Sequence, residues 1–384
     1  MATETGTATD YRDLLQKFKL FLTGENVSPP SGLSWEVMEE RSSSTSPDTS
    51  IAAGDADEVM KSAANNDQSH DQIIFRGTGG VSPERDIFFA IQTLGLSTTG
   101  YYNWQIRGLT GFAQNSPITN YVSLADQPGR SPPCYLLLQN TTMTYWFIAN
   151  DRHIKGCVKT GSAYHCFYFG FMNTFATEAE YPYPLVVAAT GYTEELIFSS
   201  NSTLVSSSIL NGGGDGSVFL PLTDLFQTLT ANGWVRFTDG NWYAVKNFAG
   251  TQGTEVGLNS GVGLAYVWPM VQHGLFGDAE NAVAASHQIG NNYRQDIPGQ
   301  TAAKQILRAF GSPELTVLFP CTMFLYNGGQ LIGEFDGCYW APGSGGITSE
   351  DEIIDFGESP QITNLVFQNV WKTDAWQFLA MRYE

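Results

Sequence analysis

Four residues between positions 153 and 166 are of types that bind zinc. They are His153, Cys157, His165 and Cys166, and imidazole nitrogen and thiolate sulfur are ligands that structural zinc sites use. His165 and Cys166 are neighbours in a stretch with the alternation of a β-strand, where successive side chains point to opposite faces. A Cys-x-x-Cys pair is missing from the sequence. The pattern therefore predicts no metal site.

Two acidic residues are of the type that cleaves glycosidic bonds. Glu178 and Glu180 flank Ala179 beside an aromatic stretch, and glycosidases use a pair of carboxyl groups at a defined separation. The sequence spacing alone does not set that separation, and such pairs are also common on solvated loops. A glycan-cleaving enzyme with Glu178 or Glu180 as its acid is the third of three functional hypotheses.

The remaining catalytic motifs are incomplete. Asp355-Phe356-Gly357 copies a protein-kinase triplet, but no His-Arg-Asp loop and no glycine-rich loop with its lysine accompany it. Gly77-Thr78-Gly79-Gly80 lacks the Gly-Lys-Ser/Thr ending of a phosphate-binding loop. A Gly-x-Ser-x-Gly nucleophile motif is also missing. We therefore expect a non-enzymatic protein with no catalytic residue and no cofactor.

The composition favours a globular body of many short strands joined by tight turns. The 384 residues are 42% hydrophobic and only 15% charged, with 40 glycines, 24 phenylalanines and 17 tyrosines. The net charge of −19 argues against nucleic acid as a partner, because neutralising phosphates requires a basic face.

Cysteine usage and the amino terminus indicate a protein made in a cytoplasm. The five cysteines are an odd number without close paired spacing, which favours reduced and mostly buried thiols. The first ten residues are polar, unlike a signal peptide. No apolar run approaches the about 18 residues that a membrane-spanning helix needs. We expect no membrane contact.

The stretch 145–184 is predicted to organise the rest of the chain. It holds two aromatic runs, 145–149 and 166–175, separated by a polar reversal at 150–152 and by Gly161. Two such runs with short connections are predicted to be paired strands. Bulky side chains occupy both alternating faces of the second run, which is typical of a strand covered on both sides.

Residues 10–22 are predicted to form an amphipathic helix that Asp10 caps and Gly24 ends. A helix this short needs its apolar stripe to dock on another surface. That surface is either the chain's own core or a neighbouring subunit. The stripe consists of Tyr11, Leu14, Leu15, Phe18, Phe21 and Leu22.

The remaining pattern predicts a mainly β fold: an antiparallel sandwich-like or barrel-like body with a short N-terminal amphipathic helix and long surface loops. Asp239-Gly240 between two aromatic runs predicts a tight hairpin. A second short helix is predicted at 301–310. Further strands are predicted at 33–39, 72–76, 86–93, 101–107, 135–139, 185–189, 195–198, 316–319, 322–326, 331–335, 365–370 and 375–382.

The chain is predicted to have three parts. Residues 1–70 form the N-terminal helix and a polar arm, of which 41–70 has little to bury and is expected to be a long surface loop. Residues 71–215 form a β domain with an aromatic core. Residues 216–384 form a second β-rich domain, after a flexible connector that contains Gly212-Gly213-Gly214.

Six aromatic stretches stand out along the chain: YYNWQIRG at 101–108, YWFIAN at 145–150, YFGF at 168–171, YPYPL at 181–185, GEFDGCYW at 333–340 and VFQNVW at 366–371. Together they resemble a family of virion structural proteins of tailed bacteriophages. The resemblance implies a non-enzymatic particle component of the neck, collar or tail, present in several symmetric copies. Family members tend to carry two basic residues after the Ala-Asn pair, where this chain has Asp151-Arg152-His153.

The first hypothesis is therefore a virion structural protein, synthesised in the bacterial host cytoplasm, whose partners are other copies of itself and neighbouring virion proteins. The second is a tail-associated carbohydrate-binding or receptor-binding module that contacts a host-surface glycan through aromatic rings such as those at 101–104. The predicted interface residues are Tyr11, Leu14, Phe18, Phe21, Tyr102, Trp104, Trp371 and Arg382.

Overall fold

The structure is a computed structural model. It describes residues 1–24, 33, 35–41, 71–78, 85–96, 101–114, 124–132, 134–189, 233–247, 265–268, 318–325, 330–341, 347–355, 361–368 and 378–383. The predicted surface loop after Arg41, the predicted strand at 195–198 and the predicted helix at 301–310 lie outside these ranges.

The described residues form a mainly β structure with one α-helix, as predicted. The helix is α1 (Tyr11–Thr23), and a short 3-10 helix covers Leu124–Asp126. The strands are β1 (Ala2–Ala8), β2 (Glu36–Arg41), β3 (Gln72–Gly77), β4 (Ile87–Leu96), β5 (Tyr101–Leu109), β6 (Cys134–Leu138), β7 (Met143–Ala149), β8 (His153–Thr160), β9 (Ala163–Phe171), β10 (Asn173–Thr174), β11 (Leu185–Ala189), β12 (Gly233–Arg236), β13 (Trp242–Asn247), β14 (Ala265–Trp268), β15 (Phe319–Leu325), β16 (Gln330–Ala341), β17 (Glu352–Asp355), β18 (Ile362–Gln368) and β19 (Phe378–Arg382).

The strands form two sheets. The small sheet has five strands in the order β2-β3-β4-β5-β6, and each neighbouring pair is antiparallel. The long sheet has 14 strands in the order β1-β7-β8-β9-β11-β12-β13-β14-β15-β16-β19-β18-β17, and β10 pairs with β16 off this path. Only the β13–β14 pairing of the described ladders is parallel. The antiparallel, sandwich-like architecture predicted from the sequence is confirmed.

Strand β9 is buried along its whole length, because each of its faces is covered. Phe167 and Phe169 point into a first core layer, which we call the helix-side core; it contains α1, the inner face of the small sheet and one face of the central strands β7, β8, β9 and β11. Cys166 and Tyr168 point into a second layer, the C-terminal core, which β15, β16, β18 and β19 complete. The predicted two-sided burial of this strand is confirmed.

The predicted direct pairing of the two aromatic runs is wrong, because β8 lies between β7 and β9 and pairs with both. Both reversals are tight. Asn150 Oδ1 accepts hydrogen bonds from the backbone N–H groups of Arg152 and His153, each at 2.8 Å. Gly161 takes a φ of 61° in the second turn, a conformation that glycine adopts without steric cost.

Strand β1 was not predicted, since its sequence ATETGTA has almost no large apolar side chain. It pairs with β7 along its full length, from Ala2 opposite Ala149 to Ala8 opposite Met143. This pairing uses backbone hydrogen bonds, which do not depend on side-chain type. It also places the start of α1 over the helix-side core.

Helix α1 has the predicted caps. Asp10 accepts hydrogen bonds from the backbone N–H groups of Arg12 and Asp13, and Gly24 ends the helix in the left-handed conformation with a φ of 71°. The caps fix where the helix begins and ends, and the apolar stripe determines the surface on which it docks.

The apolar stripe packs into the chain's own core. Tyr11, Leu14, Phe18 and Phe21 are all buried there. Of the two docking surfaces that the sequence left open, the helix therefore uses the chain's own core, and the alternative that these candidates contact a neighbouring subunit is corrected. The physical reason is the short connection to β1, which is hydrogen-bonded to the central strands. The Phe18 ring is at the centre of this packing. Its centroid lies within 6.4 Å of the ring centroids of five residues, Phe75, Phe89, Trp104, Phe147 and Phe167.

Strand pairing crosses both predicted domain boundaries. Val37 of β2 lies opposite Phe75 of β3, across position 70. Val186 of β11 lies opposite Val235 of β12, across position 215. The described residues therefore do not separate into independent sheets at either position.

Two smaller predictions are confirmed. Strands β12 and β13 form the predicted hairpin, with Gly240 at a φ of 83°. All five cysteines are buried and free.

No helix in the described ranges is long and apolar enough to cross a membrane.

Replacing Phe18 with Ala is expected to lower the free energy of unfolding by about 3–5 kcal/mol, because the change empties the centre of the helix-side core. Urea unfolding followed by tryptophan fluorescence measures this loss. Lys17→Ala, one position away on a partly exposed face, is the matched control and is expected to stay within about 0.5 kcal/mol of the wild type. A Phe18→Ala chain as stable as the control would contradict the docking of α1.

Candidate functional site

Among the described residues, a lysine lies buried inside the C-terminal core. Lys155 of β8 is fully buried. Its Nζ donates hydrogen bonds to two successive backbone carbonyls of β16, those of Asp336 at 2.7 Å and Gly337 at 3.0 Å. Gly337 has a φ of 62°, and a Cβ at this position would collide with Lys155 Nζ. The glycine therefore makes room for the amine.

A buried lysine is a chemical candidate because a lowered pKa makes its amine nucleophilic. Burial lowers the pKa of Lys155, although Cys338 and Asp336 act in the opposite direction. The amine is nevertheless enclosed between the two halves of the long sheet, and two of its three donor positions are occupied by carbonyls. The arrangement stabilises the contact between β8 and β16 and exposes no nucleophile.

His153 occupies the neighbouring position on the same face of β8. Its ring stacks on that of Tyr168 at a centroid distance of 5.1 Å. The Tyr168 hydroxyl donates a hydrogen bond to the carbonyl of Phe171 at 2.7 Å. His153 Nδ1 lies 3.6 Å from Asp336 Oδ2, which is beyond hydrogen-bond distance. Burial, with Lys155 and Arg152 nearby, lowers the pKa of His153 well below its usual value, so the ring is neutral.

The four metal-ligand candidates do not converge. Cys157 and Cys166 lie in the C-terminal core. His165 points to the opposite face of β9, where its Nε2 lies 2.8 Å from Thr160 Oγ1. Within the described part of the chain, no three His, Cys, Asp or Glu side chains are placed to hold a metal ion.

The two candidate glycosidase acids have separate structural partners. Glu178 forms an ion pair with Arg85 at 2.8 Å. Glu180 Oε2 accepts hydrogen bonds from the backbone N–H of Thr177 at 2.9 Å and from its hydroxyl at 2.8 Å. These hydrogen bonds lower the pKa of Glu180, whereas a general acid needs a raised pKa. This environment does not favour the glycan-cleaving hypothesis.

The aromatic cluster that suggested glycan binding belongs largely to the core. Trp104 is fully buried, and its Nε1 donates a hydrogen bond to the carbonyl of Tyr11 at 2.9 Å. Tyr102 is half-buried, with its ring centroid 5.0 Å from that of Tyr11. The prediction of an interface role for Trp104 is thereby corrected: the side chain anchors α1.

The other predicted positions are distributed over the fold. Arg382 is half-buried at the end of β19, beside Gly337. Trp371 lies outside the described residues, as do Phe356 and Gly357 of the kinase-like triplet and two of the four residues in the stretch 77–80. Six of the eight predicted interface residues thus lie together in the helix-side core, whereas Arg382 lies apart from them at the end of β19.

Sequence reasoning missed a polar contact that joins the β8–β9 hairpin to the loop before β17. Glu350 Oε1 accepts hydrogen bonds from Lys159 Nζ at 2.6 Å and from the Tyr164 hydroxyl at 2.7 Å. Partial burial acts to raise the pKa of Glu350, but these hydrogen bonds keep it below its usual value. Glu350 also has a φ of 74°, which is rare for a residue with a side chain. No local sequence signal marks this contact, since its members are about 190 positions apart.

No family model matches the chain, and no curated protein matches it. The geometry of the described residues is therefore the available guide to chemistry. Its buried ionisable groups are enclosed within the core layers, and its acidic candidates are engaged with neighbouring residues.

Folding stability is expected to fall on acidification because of His165. Burial lowers the pKa of this imidazole to about 4, whereas in the unfolded chain it binds a proton near pH 6.5. Between these values the unfolded state binds more protons, so the free energy of unfolding decreases as pH falls, by up to roughly 1.4 kcal/mol per pH unit.

Urea unfolding of the wild type and of His165→Gln, at about pH 7 and about pH 5, isolates this contribution. Glutamine retains a group that can hydrogen-bond to Thr160 but does not titrate. The variant is expected to lose less stability between the two pH values than the wild type. Equal losses would show that His165 is not buried as a neutral ring.

Proposed function

We propose that the chain is a non-enzymatic structural subunit of a tailed-phage virion, in the neck, collar or tail. It assembles in several symmetric copies with itself and with neighbouring virion proteins. The protein is synthesised in the host cytoplasm and is then incorporated into the virion.

The observation that carries this proposal is where the family-like stretches lie in the fold. The stretch YWFIAN covers most of β7 and directs alternate side chains into both core layers, Tyr145 and Phe147 into one and Trp146 and Ile148 into the other. The stretch GEFDGCYW lies in β16 and supplies the carbonyls that bind Lys155. The resemblance is therefore carried by residues that build the body of the protein, as a likeness between structural subunits would be.

The distribution of polar groups also supports a structural role. Lys155, the most deeply buried cation of the central strands, is used to join β8 to β16. Glu178 and Glu180, the residues that would make the chain an enzyme, are engaged by Arg85 and Thr177. Such arrangements stabilise a fold without preparing groups for bond-making.

Neighbouring copies need a surface to contact. Among the described residues, the large apolar side chains that remain exposed are Met1, Phe175 and Ile354. Ile354 lies on β17, at the edge of the long sheet, and edge strands carry unpaired backbone groups that can pair with another chain. We place the first subunit contacts at Phe175 and on β17, in place of the helix residues that turned out to be buried.

Quantitative mass spectrometry of gradient-purified particles tests the proposal. The chain is expected to co-sediment with the particles in a fixed copy number greater than one. Purified particles that lack the chain would overturn the proposal.

The variants Glu178→Gln and Glu180→Gln separate a structural from a hydrolytic role in the same particles. Both are expected to leave particle yield and infectivity unchanged. Intact particles that lose infectivity with either variant would favour the glycan-cleaving hypothesis instead.

A further inference from the structure

Four of the five cysteines lie in one layer of the fold. Cys157, Cys166, Cys321 and Cys338 all belong to the C-terminal core, whereas Cys134 belongs to the helix-side core. All five thiols are free and buried.

Cys157 and Cys166 lie directly opposite each other on the antiparallel strands β8 and β9. The hairpin closes with Thr160 opposite Ala163, leaving a two-residue turn whose first residue, Gly161, has a φ of 61°. This is the pattern of a type II′ turn, in which the closing pair exchanges backbone hydrogen bonds. Because hydrogen-bonded and non-hydrogen-bonded pairs alternate along the ladder, Cys157 and Cys166, three pairs from the turn, form a non-hydrogen-bonded pair.

A non-hydrogen-bonded pair brings its side chains closest together. Its Cα atoms lie roughly 4.5 Å apart, within the about 4.4–6.8 Å that a disulfide spans. The thiols of Cys157 and Cys166 are also within hydrogen-bonding contact of each other. Cys338 lies opposite Met381 of β19 on one side. On its other side it is near Cys321 of β15, but the register shift at Cys321 leaves these two without a direct cross-strand pairing.

We infer that Cys157 and Cys166 are a site of oxidative modification, at which a small peroxide converts the two thiols into a cross-strand disulfide in the folded protein. One sulfur attacks a peroxide oxygen, the O–O bond breaks, and a sulfenic acid and water form. The second sulfur then attacks the sulfenic sulfur, the S–S bond forms, and the oxygen leaves as water. Two thiols and one hydrogen peroxide thus yield one disulfide and two waters. This inference does not depend on the proposed function.

The disulfide would covalently join two strands at the centre of the fold. It would also constrain the unfolded chain and so raise stability. Burial raises the pKa of the Cys166 thiol, which keeps the thiolate scarce and the reaction slow. The site therefore stays reduced in a cytoplasm and responds to prolonged exposure to peroxide.

Peptide mapping of the folded protein after incubation with hydrogen peroxide tests the inference. Free thiols are blocked with N-ethylmaleimide in denaturant, and trypsin then cleaves after Lys155 and Lys159 to release the peptide 156–159, which contains Cys157. The expected product is this peptide joined by a disulfide to the peptide that contains Cys166, and reduction separates the two. Cys134 is expected to stay a free thiol and therefore to carry N-ethylmaleimide. The urea midpoint of the oxidised protein is expected to rise and to return after reduction.

The control variants are Cys157→Ala and Cys134→Ala, both at buried positions. The first is expected to abolish the cross-linked peptide and the second to retain it. Overoxidised but unlinked cysteines, or a disulfide that involves Cys321 or Cys338 instead, would overturn the inference. Because the wild-type peptide map alone distinguishes these outcomes, the test holds even where a variant fails to fold.

Discussion

The burial of β9 on both faces is the constraint on which the rest of the structure depends. A strand with large side chains on each face needs a cover on each side. Phe167 and Phe169 are covered by α1 and the small sheet, and Cys166 and Tyr168 by the C-terminal strands. The N-terminal and C-terminal parts of the chain therefore fold against opposite faces of one central set of strands.

Hydrogen bonds from polar atoms at the ends of buried side chains fix how the layers sit on the central strands. Trp104 Nε1 binds the carbonyl of Tyr11 at the start of α1, and Trp35 Nε1 binds the carbonyl of Asn150 at 2.8 Å. On the other side, Lys155 binds two carbonyls of β16. Burying such groups is unfavourable unless they are hydrogen-bonded. Alternative packings of the layers would leave these groups without hydrogen-bond partners. The hydrogen bonds therefore select one arrangement of the layers.

The elements that were predictable are those whose signals are local. The spacing of Tyr11, Leu14 and Phe18 with Asp10 as a cap marked α1, and Asp239-Gly240 marked the β12–β13 hairpin. Strand β8 was missed because Lys155 and Lys159 alternate along it, a pattern that suggests a solvent-facing side. Lys155 is buried only because Gly337, which is 182 positions away, lets β16 present two carbonyls to it. No local pattern encodes such a contact, and the same holds for Glu350 with Lys159 and for β1 with β7.

Native-state hydrogen exchange tests the two-sided burial most directly. The amides of β8 and β9 are expected to exchange only through global unfolding, with protection equal to the full free energy of unfolding, whereas the edge strands β2 and β17 exchange earlier through local opening. The opposite order, with β8 and β9 exchanging before those edges, would contradict the central place of these strands in the fold.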